Sequence, residues 1–410
     1  MNMRKNVNKI VAFAIGISII SGSIIPAFAA DNTLNTNKTT ANVQTQVNGK
    51  PLLTLKDAIE AGIANNSQIV LQSKKINLEE DKLDIQDEID DDGYDYDNQE
   101  LVVKQEKQKK DFMEDQVAQD ITDKYNELVS QSKSLDKINK QIEIKTKEVS
   151  DAKLKKSLGL ATSIDMTQAQ IDIQTLKNSQ ENAEKKLKNS QDYFQVLTGK
   201  ELTKYTLSQD TTYEVFRIDG SVDEYLDNTI DKFVEYDKES YDLFKDHVKD
   251  DLKTTLPTSL PDRSDPIFSN DPTDGTVTNP KTGDEKYEAA IEGYEAYLNA
   301  KYGVDGKYVA LSEEKKAYKQ LLNAYYTTLL SLENNINVLK ANMELTNKKL
   351  SNMKLKYDLG LVTKTDYENQ ILTSYDQEIN LRSLVDNYNK IKNNIQKPWT
   401  ISTSSGSSAQ

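Results

Sequence analysis

The sequence of 410 residues contains no cysteine, one histidine and one tryptophan. Without cysteine the chain has no disulfide, no thiolate metal site and no thiol nucleophile. The single histidine, His247, excludes a multi-histidine metal centre within one chain, and we expect it on an exposed helix. No glycine-rich phosphate loop or nucleophile elbow occurs. The sequence therefore predicts a protein that is not an enzyme, with no catalytic residue, no metal ligand and no cofactor.

Apolar residues are also scarce. They make up 36% of the chain, whereas 29% is charged and the formal net charge is −14. Because globular domains are closer to half apolar, this composition favours thin, elongated packing over a thick core. An excess of acidic residues also excludes a general affinity for nucleic acid, since neutralising phosphates requires Lys and Arg.

The first thirty residues have the pattern of a secretory signal peptide. Three basic residues precede an apolar stretch over 10–25, and Ala27-Phe28-Ala29 matches the small-x-small cleavage pattern. A membrane anchor is the alternative, although the apolar core is short for a bilayer of about 30 Å. We predict export through the cytoplasmic membrane to the cell envelope, with a flexible leader over 31–50.

Long amphipathic helices follow. A helix is predicted from Thr54 to about residue 89, a second over 101–158 and a third over 162–197. The second carries apolar residues at intervals of seven, which keep one seam against a partner helix: Ile121, Leu128, Leu135, Ile142 and Val149. The first carries Leu71, Leu78 and Ile85 at the same interval.

The helical plan occurs twice. A shift of 201 residues maps the second series of apolar residues onto Leu322, Leu329, Ile336, Met343 and Leu350, and seven of seventeen positions are identical between 154–170 and 355–371. We predict helical repeats over 51–200 and 201–396. The second repeat holds a proline-rich surface loop at 254–284, and a disordered tail occupies 397–410.

The best conserved feature of the two copies is a turn. Gly159 supplies a left-handed residue after a helix, and Thr162 with Asp165 forms a capping box for the next helix. Leu160 then lies at the outer tip of a helical hairpin. Gly360, Leu361, Thr363 and Asp366 repeat the arrangement. The exposed leucines indicate a docking point for another protein, unless they fold back as the hydrophobic contacts of a Schellman motif.

Two acidic features have two interpretations each. Asp165 and Asp366 either cap helices or, in an oligomeric tunnel, form rings that favour cations at its entrance. The run over 90–97 is either a solvated turn or a calcium loop. Aligned on Gly93, it lacks the bidentate acid of an EF-hand.

With its opening LTLKDAIEAGIANN at 53–66, its doubled G-L-x-T-x-x-D turn and its duplication, the chain resembles the TolC-like outer membrane efflux proteins. The resemblance implies an all-α protomer of long antiparallel coiled-coil helices with little or no β structure, and a homotrimer enclosing an α-barrel tunnel. It also implies an outer-membrane location, and hairpin tips that dock a periplasmic-type adaptor working with an inner-membrane transporter. By motif position these tips are Gly159, Leu160, Gly360 and Leu361.

The sequence departs from the family at the strands of its membrane barrel. Residues 90–100 are too few for two membrane strands, and 254–284 is rich in proline. We therefore predict a TolC-like tunnel or stalk without these strands, acting in trans-envelope efflux or secretion. The alternative is a cell-envelope coiled-coil scaffold that encloses no conduit.

Overall fold

The computed structural model describes residues 46–47, 49–89, 92–160, 162–210, 212–264 and 283–401. The predicted signal peptide lies outside the described residues, as do most of the leader, the centre of the 254–284 loop and residues 90 and 91 of the acidic run. Within the described residues the fold is helical, which confirms the all-α prediction.

Eight α-helices and three short strands build the described part of the chain. In chain order the helices are α1 Leu55–Asn65, α2 Ser67–Ile89, α3 Tyr94–Ser157, α4 Ser163–Thr198, α5 Val222–Phe233, α6 Glu235–Asp246, α7 Gly283–Asp358 and α8 Lys364–Gln396. The strands are β1 Gln46–Val47, β2 Lys50–Leu53 and β3 Thr206–Leu207. At 1.5 Å per residue, the 76 residues of α7 extend about 114 Å.

The long helices lie side by side in one layer. Helix α4 packs on α3, α3 packs on α8, and α8 packs on α7. Nearer the other end of the layer, α2 packs on α3, α3 on α6, and α6 on α7. The same order is thus kept along the whole length, with α2 and α4 at one edge and α7 at the other.

Each half of the chain has its own apolar core. In the first half, residues of α3 gather around Phe194 of α4 and Ala58 of α1. In the second half, α7 packs on Val385 and Tyr388 of α8 and on Leu226 of α5. The five predicted seam positions of α7, from Leu322 to Leu350, are all buried. The seven-residue repeat therefore predicted this seam correctly.

The boundary between α3 and α8 is ionic rather than apolar. Near the N-terminal side of α3, Asp115 pairs with Lys397 and Asp123 with Lys390, each at 2.6 Å. The signs are exchanged further along α3, where lysines meet acidic residues of α8: Lys133 with Glu378, Lys137 with Asp376, and Lys147 with Glu368. Ion pairs of both orientations therefore line the boundary between α3 and α8.

A small sheet ties the beginnings of the two halves together. Strand β2 pairs in parallel with β3, and β1 pairs antiparallel with β2. The hydroxyl of buried Tyr125 on α3 lies 2.7 Å from the carbonyl oxygen of Leu53 and 3.0 Å from that of Ser208. This side chain thus links α3 to both strands.

The prediction of one continuous helix from Thr54 to about residue 89 is wrong in detail. The first predicted helix is interrupted at Asn66, whose Oδ1 accepts hydrogen bonds from the amides of Gln68 and Ile69 and so begins α2. In addition, Leu71, Leu78 and Ile85 are exposed, whereas Ile69 and Ile76 of the same helix are buried. The interval of seven marks a stripe on α2, but this stripe does not face the chain's own core.

The prediction that His247 lies on an exposed helix is also wrong in part. It begins a π-helical turn, His247–Leu252, that continues α6. Its ring stacks on Tyr94 at a centroid distance of 3.8 Å, and its Nδ1 lies 2.8 Å from Asp251. The side chain is only 21% exposed, because α3 covers one face of the ring.

The predicted disordered tail begins too early. Residues Pro398–Thr400 form a 3₁₀ turn. Trp399 stacks on Phe112, and its indole Nε1 donates a hydrogen bond to Asp115 at 2.8 Å. The packing of this aromatic ring holds the chain to residue 401, and residues 402–410 lie outside the described residues.

Candidate functional site: two apolar hairpin tips

The first tip joins α3 to α4. Helix α3 ends in a Schellman motif, in which the amide of Leu160 donates to the carbonyl of Lys155 at 2.8 Å and that of Gly159 to Lys156 at 3.0 Å. Gly159 has φ of +73°, a left-handed conformation that costs other residues energy. The chain thereby reverses within a few residues.

A capping box then begins α4. The hydroxyl of Thr162 accepts a hydrogen bond from the amide of Asp165 at 3.2 Å, and the Asp165 carboxylate accepts one from the amide of Thr162 at 2.9 Å. Hydrogen bonds from Thr162 lower the pKa of Asp165. The predicted capping role of Asp165 is therefore present in the structure.

The second tip, between α7 and α8, has the same geometry. The amide of Leu361 donates to Lys356 at 2.8 Å, and Gly360 has φ of +70°. Thr363 and Asp366 form the capping box, and hydrogen bonds from Thr363 lower the pKa of Asp366. All eight sequence-predicted residues thus lie in two matching turns, four in each.

The two tip leucines project into solvent. Leu160 is 75% exposed and Leu361 is 70% exposed. The backbone hydrogen bonds of the Schellman motif are present, but neither leucine is buried by folding back. In the single chain the apolar side chains at both tips are therefore uncovered.

Further apolar side chains surround each tip and were not singled out from the sequence. They are Leu154, Leu158 and Ile164 at the first tip, and Leu355 and Leu359 at the second, all exposed. Their signal was available, because Leu154, Leu158 and their counterparts are among the positions that the two copies share. Each tip is thus a small apolar patch rather than one leucine.

The two tips point to the same end of the layer. Lys147 of α3 lies 3.1 Å from Glu368 of α8, ten residues before α3 ends and four after α8 begins. At 1.5 Å per residue, the first tip extends roughly 10 Å beyond the second. Both patches are therefore presented in one direction, at staggered heights.

The tips differ in one chemical respect. Below the second tip, the rings of Tyr357 and Tyr367 stack at a centroid distance of 5.5 Å and an interplanar angle of 8°. The corresponding positions of the first tip are Lys156 and Met166. The second tip therefore has a pair of stacked aromatic rings across its hairpin, and the first does not.

A metal centre is not found in the described part of the chain, where no group of three or more potential ligands could hold a metal ion. No described helix combines the length and the apolarity needed to cross a bilayer.

Comparison with known proteins shows similarity of structure but not of sequence. No protein-family model and no curated protein sequence matches the chain. Among solved structures, a membrane protein from Pseudomonas aeruginosa aligns with a TM-score of 0.57 at 10% identity, over 84% of this chain and 92% of that one. The outer-membrane channel OprN aligns with 0.55 at 9% identity, over 84% and 90%.

A third structure agrees with these two. The outer membrane channel CmeC of Campylobacter jejuni aligns with a TM-score of 0.50 at 11% identity, over 91% of this chain and 94% of that channel. Alignment over nearly the full length of several channels fits the helical layer and its doubled hairpin. The resemblance predicted from the opening at 53–66, the doubled turn and the duplication is thus confirmed at the level of the fold: this chain shares the fold of these outer-membrane channels.

Proposed function

We propose that the protein is a TolC-like exported tunnel or stalk in a trans-envelope efflux or secretion system, and that it docks an adaptor protein through its hairpin tips. The observation that carries the proposal is the pair of exposed apolar tips on one end of a channel-type fold. Apolar patches at the end of a long helical layer are costly in water unless another protein covers them. The tunnel itself is passive, and the energy for transport comes from an inner-membrane transporter.

The exposed apolar residues of the layer support a homo-oligomer. Away from the tips, the described parts of the central helices α3 and α8 expose no large apolar side chain. The helices at both edges of the layer do expose large apolar side chains. These are Leu71, Leu78 and Ile85 on α2, Ile171 and Val196 on α4, and Leu298, Val338 and Leu345 on α7. Because the two edges are unlike, copies joined edge to edge share a head-to-tail interface, which closes into a ring when the rotation between neighbours closes.

A ring of this kind encloses a space, as a tunnel requires. We take the number of copies to be three, as the family resemblance implies, with the tips of all copies at one end. In such a ring Asp165 and Asp366 would be repeated around the entrance and favour cations. The cell envelope is the proposed location, with the outer membrane suggested by the channels that share the fold.

Adaptor docking is tested by changing the tips alone. Leu160→Asp and Leu361→Asp add a charge to an exposed side chain, so folding is preserved while apolar contact is lost. Gly159→Pro changes the turn itself. The measurement is retention of a purified periplasmic-type adaptor from the same organism on the immobilised protein, with Leu260→Asp as a control at the other end of the layer.

We expect the tip variants to lose adaptor binding and the control to retain it. Binding unimpaired in both Gly159→Pro and Leu160→Asp would overturn the tip assignment. Circular dichroism on each variant separates a docking defect from unfolding.

The ring is tested by light scattering. For the chain without residues 1–30, the predicted signal peptide, we expect three times the mass of one chain. We expect a smaller species for a Val338→Asp/Leu345→Asp variant that places two charges on the α7 edge. A stable monomer of the unchanged protein would contradict the tunnel. It would favour the alternative of an envelope coiled-coil scaffold that binds partners through its helical faces.

A further inference from the structure

A cleft of about 240 Å³ opens where the two halves of the chain meet. Helix α3 contributes Lys133, α7 contributes Lys340, and α8 contributes Glu378 and Arg382. The extended segment before α5 closes one side with Tyr213. The cleft is therefore built by four parts of the chain and lies away from both hairpin tips.

Positive charge exceeds negative charge in this cleft. Three cationic side chains line it against one carboxylate, in a chain that is strongly acidic overall. Glu378 lies 3.4 Å from Lys133 and neutralises one of the three. The ammonium group of Lys340 lies 4.4 Å from the centroid of the Tyr213 ring, and no carboxylate of the described residues forms an ion pair with it.

The third cation is buried. Arg382 is 4% exposed, and its Nη1 and Nη2 donate to the Gln209 carbonyl at 2.9 Å and to Asn126 Oδ1 at 3.0 Å. Both acceptors are neutral, and Asp386 lies 3.6 Å from its Nε. Burial lowers the pKa of the Arg382 guanidinium, and the carboxylates of Asp386 and Asp210 act in the opposite direction. Lys340 is therefore the cation of this cleft that has no carboxylate partner among the described residues.

The remaining wall is apolar. Leu381 and Val385 of α8 line it beside the Tyr213 ring. The Tyr213 hydroxyl is itself buried and has no hydrogen-bond partner among the described residues. A buried hydroxyl without a partner is unusual, since most such groups are satisfied by protein or by a bound molecule. The cleft thus combines a lysine without a carboxylate partner among the described residues, an apolar wall and a buried hydroxyl without a hydrogen-bond partner.

We propose that this cleft binds a small organic carboxylate, with the charged end at Lys340 and Arg382 and the apolar part against Leu381 and Val385. The ammonium group of Lys340 can pair with one carboxylate, and the cleft volume of about 240 Å³ exceeds what a bare inorganic ion would fill. Ligand pockets of this type join an apolar lining with a few placed polar groups. The site is separate from the tips and does not depend on the proposed tunnel.

The test is isothermal titration of the purified protein with benzoate, and with benzamide as a neutral probe of the same shape. We expect benzoate to bind and benzamide to bind at least about fivefold more weakly, because only the carboxylate meets the cations. Lys340→Gln should lower the affinity for benzoate about tenfold, because a hydrogen bond to a charged group is lost. Lys340→Arg should retain benzoate binding.

Lys185→Gln is the matched control, because it removes the same charge from an exposed ion pair on α4. Equal weakening by Lys185→Gln and Lys340→Gln would show a general charge effect and overturn the site. The proposal also fails if benzoate does not bind at millimolar concentration, or if inorganic phosphate binds as tightly as benzoate. Lys340 is exposed, so unfolding of its variants would not obscure the result.

Discussion

The indole ring of Trp399 stacks on the phenyl ring of Phe112, with centroids 4.3 Å apart and ring planes at 14°. This contact fixes the end of the second half of the chain to α3 of the first half. The carboxylate of Asp115 strengthens it by accepting from the indole Nε1 and pairing with Lys397. The C-terminal turn is therefore a clasp between the halves.

Removing the clasp should destabilise the protein. We expect Trp399→Ala to lower the free energy of unfolding by on the order of 2 kcal/mol, the scale for burying a large apolar side chain. Trp399→Phe should lose much less, because a ring remains to stack on Phe112. Thermal unfolding followed by circular dichroism checks this, and equal losses in both variants would contradict a stacking role.

Replacing either tip glycine with alanine should lower the free energy of unfolding. Gly159→Ala and Gly360→Ala should each cost about 1 kcal/mol, because both residues have positive φ although an added Cβ would meet no atom within 4 Å. Gly306 of α7 is the control. An added Cβ there also meets nothing, but its backbone is helical, so Gly306→Ala should stabilise by up to about 1 kcal/mol. Chemical denaturation of the three variants would show the opposite signs, and loss of stability in all three would refute the argument.

Removing the Tyr125 hydroxyl should destabilise the protein more than removing the hydroxyl of an exposed tyrosine. Tyr125→Phe leaves the carbonyls of Leu53 and Ser208 without this donor, and we expect a loss of about 1 kcal/mol. Tyr193→Phe removes a hydroxyl from an exposed ring of α4 and should change little. Hydrogen exchange of the amides in β2 and β3 should become faster in Tyr125→Phe and not in Tyr193→Phe. Unchanged exchange in Tyr125→Phe would contradict the role of this hydroxyl in joining α3 to the two strands.

Stability should depend on pH through Asp386. Burial raises its pKa to about 6 in the folded protein, against the usual 3.8. The folded state therefore holds this proton more tightly than the unfolded chain, and the resulting stability is complete below about pH 3.8 and lost as pH rises through 6. Relative to wild type, Asp386→Asn should gain stability over this interval, by up to about 3 kcal/mol.

Asp366 provides a control of opposite sign. Its hydrogen bonds to Thr363 lower its pKa, so its contribution is present above the ordinary value and lost as pH falls. Asp366→Asn should therefore lose stability relative to wild type at neutral pH and recover it in acid. Unfolding curves at about pH 4 and pH 7 compare the two variants, and parallel behaviour would contradict the assignment.

The seam of α7 could be predicted from sequence, whereas the outward stripe of α2 could not. Leu322 and its successors recur every seven residues and are buried. Leu71, Leu78 and Ile85 recur at the same interval and are exposed. A repeat of seven states that a helix has an apolar face, but it does not state whether the partner lies in the same chain or in another.

The tips were predictable because their determinants are local. Gly159, Thr162 and Asp165 act within seven residues of one another, and the second copy confirms the pattern of residue types. The C-terminal clasp depends instead on Phe112 and Trp399, which are nearly three hundred residues apart in sequence. The cleft likewise exists only once Lys133, Lys340 and Arg382 are brought together by folding.

The presence of a separate apolar core in each half has a consequence for how such a chain can change over generations. A substitution inside one core is compensated by neighbours in the same half, so each copy can accumulate differences without disturbing its sister. The ion pairs between α3 and α8 can be replaced one at a time, since each acidic residue has its own lysine partner on the facing helix. A duplicated ancestor of this construction could therefore lengthen one copy while the other stayed as it was.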